Sequence, residues 1–425
     1  MTLAIFVLSL LAVMALGIPV AFALLISAIV LMFTMGNFNT QILAGNLIDG
    51  ADNFPLMAIP FFMLAGELMN AGGITRRIVN FAMAFVGHIR GGLGFVAIIA
   101  SVIFAGISGS AVADTAALGA VLIPMMAAAG YNKNRSAGLI AGSGIIAPIL
   151  PPSIPMIVFG VTAGVSISKL FLAGIVPGLL LALALSITWT WIARKEKVKV
   201  QPKTTAKEKW QATRDALWAL IMPVIIIGGL RGGVFTPTEA AAVAAVYALF
   251  VGLFVYREIK LKTLYRLLIA AAKTSSVVML LAAAAMVSSW LITVANIPAQ
   301  LEDMLQPFMH NQFLLLMVIN VIVLIVGSAM DVNPTIFILT PVLMPVITAA
   351  GIDPVYFGIL FVLNNCIGLL TPPVGTVLNV AAGAGKISMD DIMKGVWPFL
   401  IVEIILLLVL TAFPGLVLVP LGWFH

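Results

Sequence analysis

Apolar positions run in long blocks separated by short polar breaks. The blocks cover 2–16, 18–36, 54–72, 91–129 with a break near 106–110, 136–163, 170–193, 215–231, 236–256, 272–296, 312–349 with a break near 327–335, 355–384 and 395–418. Many of them match or exceed the roughly 20 residues that cross a hydrocarbon core. Only an α-helix pairs all its backbone polar groups within one such segment. The pattern predicts an all-α polytopic membrane protein, retained in the bilayer from its first block, because Leu3 to Met35 lacks the basic start and small-residue cleavage site of a signal peptide. The blocks 91–129 and 312–349 are each cut by small polar residues, which predicts two re-entrant helical hairpins, each entering and leaving on the same side.

With the hairpins so placed, the loops 73–90, 130–135, 194–214, 257–273 and 385–394 share one face. Of the 22 lysines and arginines, only Lys169 and Arg231 fall on the other. Positive charge marks the cytoplasmic side, so both termini are expected in the periplasm of a bacterial inner membrane. The stretch 194–214, with Arg194, Lys195, Lys197, Lys199, Lys203, Lys207, Lys209 and Arg214, reads as a cytoplasmic linker, and 257–273 as an interfacial arm.

That linker separates two related halves. Laying Gly106–Pro177 on Gly327–Pro398 at a constant offset of 221 residues gives 16 identities in 72 positions without a gap, eight of them Gly or Pro. Pro151-Pro152 falls on Pro372-Pro373, and Ser110 on Asp331. The matched segments cross the membrane in opposite senses, the inverted repeat found in many secondary transporters.

The tip GISGSAVADT carries Gly106, Ser108, Ser110 and Asp114, residues too small and polar to face lipid. A break there frees carbonyls at the end of one half-helix and amides at the start of the next; the first suit a cation, the second a carboxylate. The partner tip GSAMDVNPT supplies Gly327, Asp331, Asn333 and Thr335. Each hairpin is followed by a proline-broken helix, GSGIIAPILPPSIP and NNCIGLLTPPVGT, where tandem prolines remove amide donors and stop the helix. Ser143 and Ser153 in the first, and Asn364, Asn365, Thr371 and Thr376 in the second, add hard oxygen ligands of the kind Na⁺ favours. The acids at apparent membrane depth are Glu67, Asp114, Glu239, Asp331 and Glu403, and none has an evident basic neighbour in the sequence.

Composition narrows the function classes. Hydrophobic residues make up 62% and charged residues 9% of the 425 positions, and the net charge of +6 reads as topology because no nucleic-acid module accompanies it. Cys366 stands alone and His88, His310 and His425 are far apart, which argues against disulfides and a transition-metal site. There is no Walker loop and no nucleophile with an evident base, so the chain is not expected to be an enzyme or to use a nucleotide or organic cofactor.

The stretches GISGSAVADTAALG, GIIAPILPPSIPMIVFG, FTPTEAAAVAAVYAL and DVNPTIFILTPVLMPV resemble the large membrane subunit of tripartite ATP-independent periplasmic (TRAP) transporters, over essentially the whole chain. The resemblance implies an elevator-type permease with two or more Na⁺ ions. Its partners would be a small four-helix membrane subunit and a periplasmic substrate-binding protein that delivers an organic acid. It places one ion site at Ser108, Ser110 and the 142–153 break, and another at Gly327, Asp331 and the 364–376 break. Scaffold segments would be 1–72 and 215–296, transport segments 73–193 and 297–425, with 194–214 linking the repeats. Leu230 to Thr293 is similar to the diketogulonate, sugar-acid branch. A stand-alone Na⁺-coupled carboxylate symporter, a passive channel and a membrane-embedded enzyme are the competing readings.

Overall fold

The computed structural model describes residues 2–196, 198 and 202–423, so Lys197 and Lys199 of the linker and His425 lie outside the described residues. Every regular element described is helical, and nine helices among the described residues are long and apolar enough to cross a membrane.

The first repeat opens with α1 (Thr2–Ala15), α2 (Val20–Thr34), α3 (Thr40–Ala51), a short 3₁₀ turn at Phe54–Met57, α4 (Ala58–Ala71) and α5 (Ile74–Val86). A hairpin follows, α6 (Gly92–Ser108) and α7 (Ala111–Ala128), then the broken helix α8 (Lys133–Gly144) and α9 (Ile154–Ala163), then the long α10 (Ile167–Ala193). The second repeat comprises α11 (Ala206–Arg231), α12 (Pro237–Phe250) with a wider π turn at Val251–Val255, α13 (Leu261–Val294) and α14 (Ile297–Met309). Its hairpin is α15 (Gln312–Ala329) and α16 (Val332–Ala349), its broken helix α17 (Pro354–Gly368) and α18 (Thr376–Gly385), and it closes with α19 (Met389–Ala412) and α20 (Gly415–Gly422). Thus α7 and α16 occupy matched positions at the offset read from the sequence.

Several segments are more helical than their polarity suggests. The loop 73–90 contains α5, whose apolar side (Ile74, Ile78, Val79, Ala82) is buried while Arg76 and Asn80 face out. The same amphipathic logic forms α14 in a stretch with no apolar block. In the linker, Thr205 and Glu208 make a capping box that starts α11 at Ala206, so 206–214 is helix. The interfacial arm is continuous with the next span in α13. Phe413 and Pro414 break the last apolar block into α19 and α20.

Packing groups the helices in two sets. In one, α4 lies on α12, α13 on α2 and α3, and α1 on α2. In the other, α8 packs on α19 and α7, and α15 on α17. The repeats interlock there: α18 packs on the first hairpin through α7, and α9 on the second through α16. Trp189 of α10 pins this set, stacked on Tyr131 and Phe399, with its Nε1 donating to the Gly91 carbonyl at 2.8 Å. The two sets meet where α13 touches α16 and α4 touches α6.

Candidate functional site

Both hairpin tips turn at the start of their returning helix. In the first, Gly109 adopts a left-handed conformation (φ 62°) and Ser110 caps α7, its Oγ accepting from the Ala113 amide at 3.4 Å. The first intrahelical bond of α7 is Asp114 N to Ser110 O at 3.0 Å, so the amides of Ala111 and Val112 remain free for a ligand. In the second, Asp331 caps α16, Oδ1 accepting from Val332 N at 2.8 Å. Pro334 has no N–H to give. The α16 terminus is thus capped by a carboxylate, whereas the α7 terminus is capped by a neutral hydroxyl and carries its acid, Asp114, within the first turn.

The two caps open into one cavity of about 440 Å³, lined by Ser110, Val112, Asp331 and Asn333 from the tips and by Lys273 and Thr274 from α13. A smaller lobe of about 100 Å³ adds Glu67, Asn70 and Ser108, and the two lobes share Met63, Ser110, Ile154 and Thr274. Of the acids read as lacking a basic neighbour at similar depth, Asp331 shares its cavity with Lys273, though the two form no ion pair among the described residues. The polarity of 257–273 hid this, because three turns of α13 carry Lys273 away from the arm.

Behind the tips lie buried oxygens with no hydrogen-bond partner among the described residues. In repeat one they are Asp114 Oδ2 and Thr115 Oγ1; the other Asp114 oxygen accepts from Ser108 Oγ. In repeat two they are the side-chain oxygens of Asn333, Asn364, Asn365 and Thr376. The Asn364 amide is held by Asn320, to O at 2.8 Å and to Oδ1 at 3.0 Å, and the Asn365 amide donates to Phe361 O at 2.8 Å. Their carbonyl ends are thus the ends left free. Asn365 Oδ1 abuts Gly327, where an added Cβ would lie 3.1 Å from it. Such oxygens, desolvated and unpaired, are hard donors of the kind a cation would satisfy.

Not every predicted residue joins the cavity. Gly106 presses on Pro223 of α11, where a Cβ would meet the ring at 2.7 Å, so its place is in helix packing. The hydroxyls of Ser143, Thr335 and Thr371 bond their own helices, to Ile140 O (3.2 Å), Asp331 O (2.9 Å) and Ile367 O (2.9 Å). Ser153 caps α9, accepting from Met156 N at 3.2 Å and donating to Pro148 O. Pro151–Pro152 and Pro372–Pro373 are both cis. Glu239 resolves as a cap: its Oε2 accepts from Thr236 N at 2.8 Å at the exposed start of α12. Glu403 is buried against Gly142, outside the cavity. Thr115, Lys273 and Thr274 are absent from the sequence reading. Thr115 is signalled only by its place one residue after Asp114, the other two by no local motif.

The sequence profile of the DctM component of tripartite ATP-independent periplasmic transporters matches residues 7–416. The chain is 54% identical, over 97% of its length and 97% of the relative's, to the 2,3-diketo-L-gulonate TRAP transporter large permease protein YiaN of Escherichia coli (strain K12). It is 40% identical, over 94% and 93%, to the sialic acid TRAP transporter large permease protein SiaM of Vibrio cholerae. Among solved structures, the YdaH transporter of Alcanivorax borkumensis superposes with a TM-score of 0.66 over 88% of this chain and 87% of that one, at 13% identity, a likeness of fold. Fold, interlocked repeats and sequence agree: the chain belongs to the large permease subunits of the TRAP transporters.

Proposed function

We propose that this permease imports a small organic acid, of the sugar-acid type, coupled to Na⁺ and by an elevator movement. The observation that carries the reading is the convergence of both hairpin caps and Lys273 on a single cavity. The acid's carboxylate would sit on the Ala111 and Val112 amides with Ser110 at the start of α7, with a cation offsetting Asp114 of the same turn, and Lys273 would add charge from α13. Cations would be held by the free oxygens behind the tips: Asp114 and Thr115 on one side, Asn364, Asn365 and Thr376 on the other, with Asp331 at the mouth. Na⁺ there would lend the hairpins positive charge when the acid binds, which couples the two solutes. The 54% identical relative bears a sugar acid in its name, which favours that substrate class over a dicarboxylate.

The helix set α1–α4 with α11–α13 would be the scaffold and the set holding both hairpins the moving body. The cavity is lined by the middle of α4 and α13, and the charge asymmetry of the loops supports a placement with both termini periplasmic. Large subunits of this family work with a small membrane subunit and a periplasmic binding protein. Uptake of labelled sugar acids and dicarboxylates into proteoliposomes tests the reading. Transport should require an inward Na⁺ gradient, the small subunit and the binding protein; uptake by this chain alone would instead favour a stand-alone carrier, and flux indifferent to Na⁺ a channel.

A further inference from the structure

A second large cavity, about 800 Å³, lies apart from the hairpins, between α5, α11 and the turn after α12. Its walls include Arg76, Arg77 and Arg214, together with Asp215, Trp218 and Tyr256. Arg77 is committed: it pairs with Glu258 at 2.7 Å, donates to the carbonyls of Gly72 (3.1 Å) and Gly73 (3.0 Å), and lies 3.8 Å over the Tyr256 ring. Arg76 and Arg214 have no ion pair or hydrogen bond among the described residues. Asp215 is the one carboxylate in the wall without a cation of its own. The cavity thus presents two free guanidinium groups, which favour bidentate binding of phosphate oxygens.

Depth and shape decide what kind of phosphate. α11 has 26 residues, ending at Arg231. A hydrocarbon core takes roughly 20 residues of helix, so counting back from Arg231 leaves the first turns of α11 outside it and sets Arg214 just inside the core's edge, from where its long side chain reaches the headgroup layer. From Arg214 an exposed or half-buried stripe runs along α11 through Leu217, Ile221 and Val224, with Leu217 44% and Val224 68% accessible. A polar head cavity that opens onto an apolar stripe at one depth has the outline of an amphiphile, and Trp218 stands at the boundary, where indoles are favoured. A soluble anion would use the head cavity and leave the stripe idle.

We propose that this cavity binds the phosphate headgroup of an anionic membrane lipid, with an acyl chain lying along Leu217, Ile221 and Val224. The test is native mass spectrometry of the full-length chain in detergent, titrated with cardiolipin, phosphatidylglycerol, phosphatidylcholine or inorganic phosphate. Wild type should retain the two anionic lipids over phosphatidylcholine. Removing each arginine should weaken that retention about fivefold, so about 25-fold in Arg76→Gln/Arg214→Gln. Arg76→Lys/Arg214→Lys should restore most of it, and Asp215→Asn, which removes the opposing carboxylate, should strengthen it, a gain that misfolding cannot mimic. Equal lipid retention in wild type and the glutamine pair would overturn the proposal. So would inorganic phosphate displacing the lipid at matched concentration, which would make this a free-anion site. Loss of the small membrane subunit from the purified complex of the glutamine pair, with lipid retained, would mark a protein contact instead.

Discussion

Ser110 and Asp331 stand at the same register in the two repeats and both cap a helix, yet one brings a hydroxyl and the other a charge. In the proposed reading that difference leaves the first cap to the substrate carboxylate, while cations lie behind both tips. Ser110→Ala should raise the KM for substrate about tenfold, since hydrogen bonds to a charged group contribute roughly 1.5–3 kcal/mol, with insertion unchanged. Asp331→Ala should act mainly on the Na⁺ dependence of uptake, moving half-saturation to higher Na⁺; normal Na⁺-driven uptake in both variants would remove the site assignment. Lys273→Met should depress uptake of the acid while Lys273→Arg retains most of it, measured in the same proteoliposomes. If Ser110→Ala impairs uptake and Lys273→Met does not, the cavity keeps its role and the lysine loses its own.

Helices of this protein meet at glycines, and the sequence register shows where. A Cβ at Gly368 would lie 2.5 Å from the Gly327 carbonyl carbon, so α17 reaches α15 only because Gly368 carries no side chain. Gly368→Ala should therefore abolish uptake and lower thermal stability, whereas Gly383→Ala, where nothing lies within 4 Å, should leave both intact. Fluorescence-detected size exclusion after heating separates the two. Glu239, an acid at apparent membrane depth in the linear sequence, is a helix cap in space. Glu239→Gln should leave the KM and Na⁺ dependence of uptake untouched, with at most a small drop in melting temperature; a changed Na⁺ dependence would return it to the transport site. The hairpins, the broken helices and their symmetry were legible because Gly, Pro and polar residues inside apolar blocks have few other uses. The helices α3, α5 and α14 were not, because their polar faces diluted the apolar signal to the level of a loop.

Taken whole, the molecule explains which residues of the candidate site a single sequence reveals. Ser108, Asp114, Asp331 and Asn365 sit at breaks and announce themselves; Lys273 is brought to the cavity by the meeting of α13 with α16, a long-range event that no local pattern records. The same meeting gives a test of movement. Met286 of α13 and Phe337 of α16 line one small cavity of about 80 Å³. With Cys366 replaced, Met286→Cys/Phe337→Cys joined by a short thiol cross-linker should stop uptake until a cleavable linker is reduced; undiminished uptake in the linked protein would show that these helix sets do not slide past each other.

The interlocking of α18 with α7 and of α9 with α16 also constrains how the chain is made. The first hairpin and broken helix leave the ribosome long before their packing partners exist. At about 5–20 residues per second, the interval between completion of α10 at Ala193 and the end of the chain lasts roughly 10 to 50 seconds. For that time the membrane holds a half-protein whose polar tip has no counterpart. The two halves, severed between 196 and 202 and produced from separate messages, should consequently survive proteolysis only when both are synthesised in the same cell.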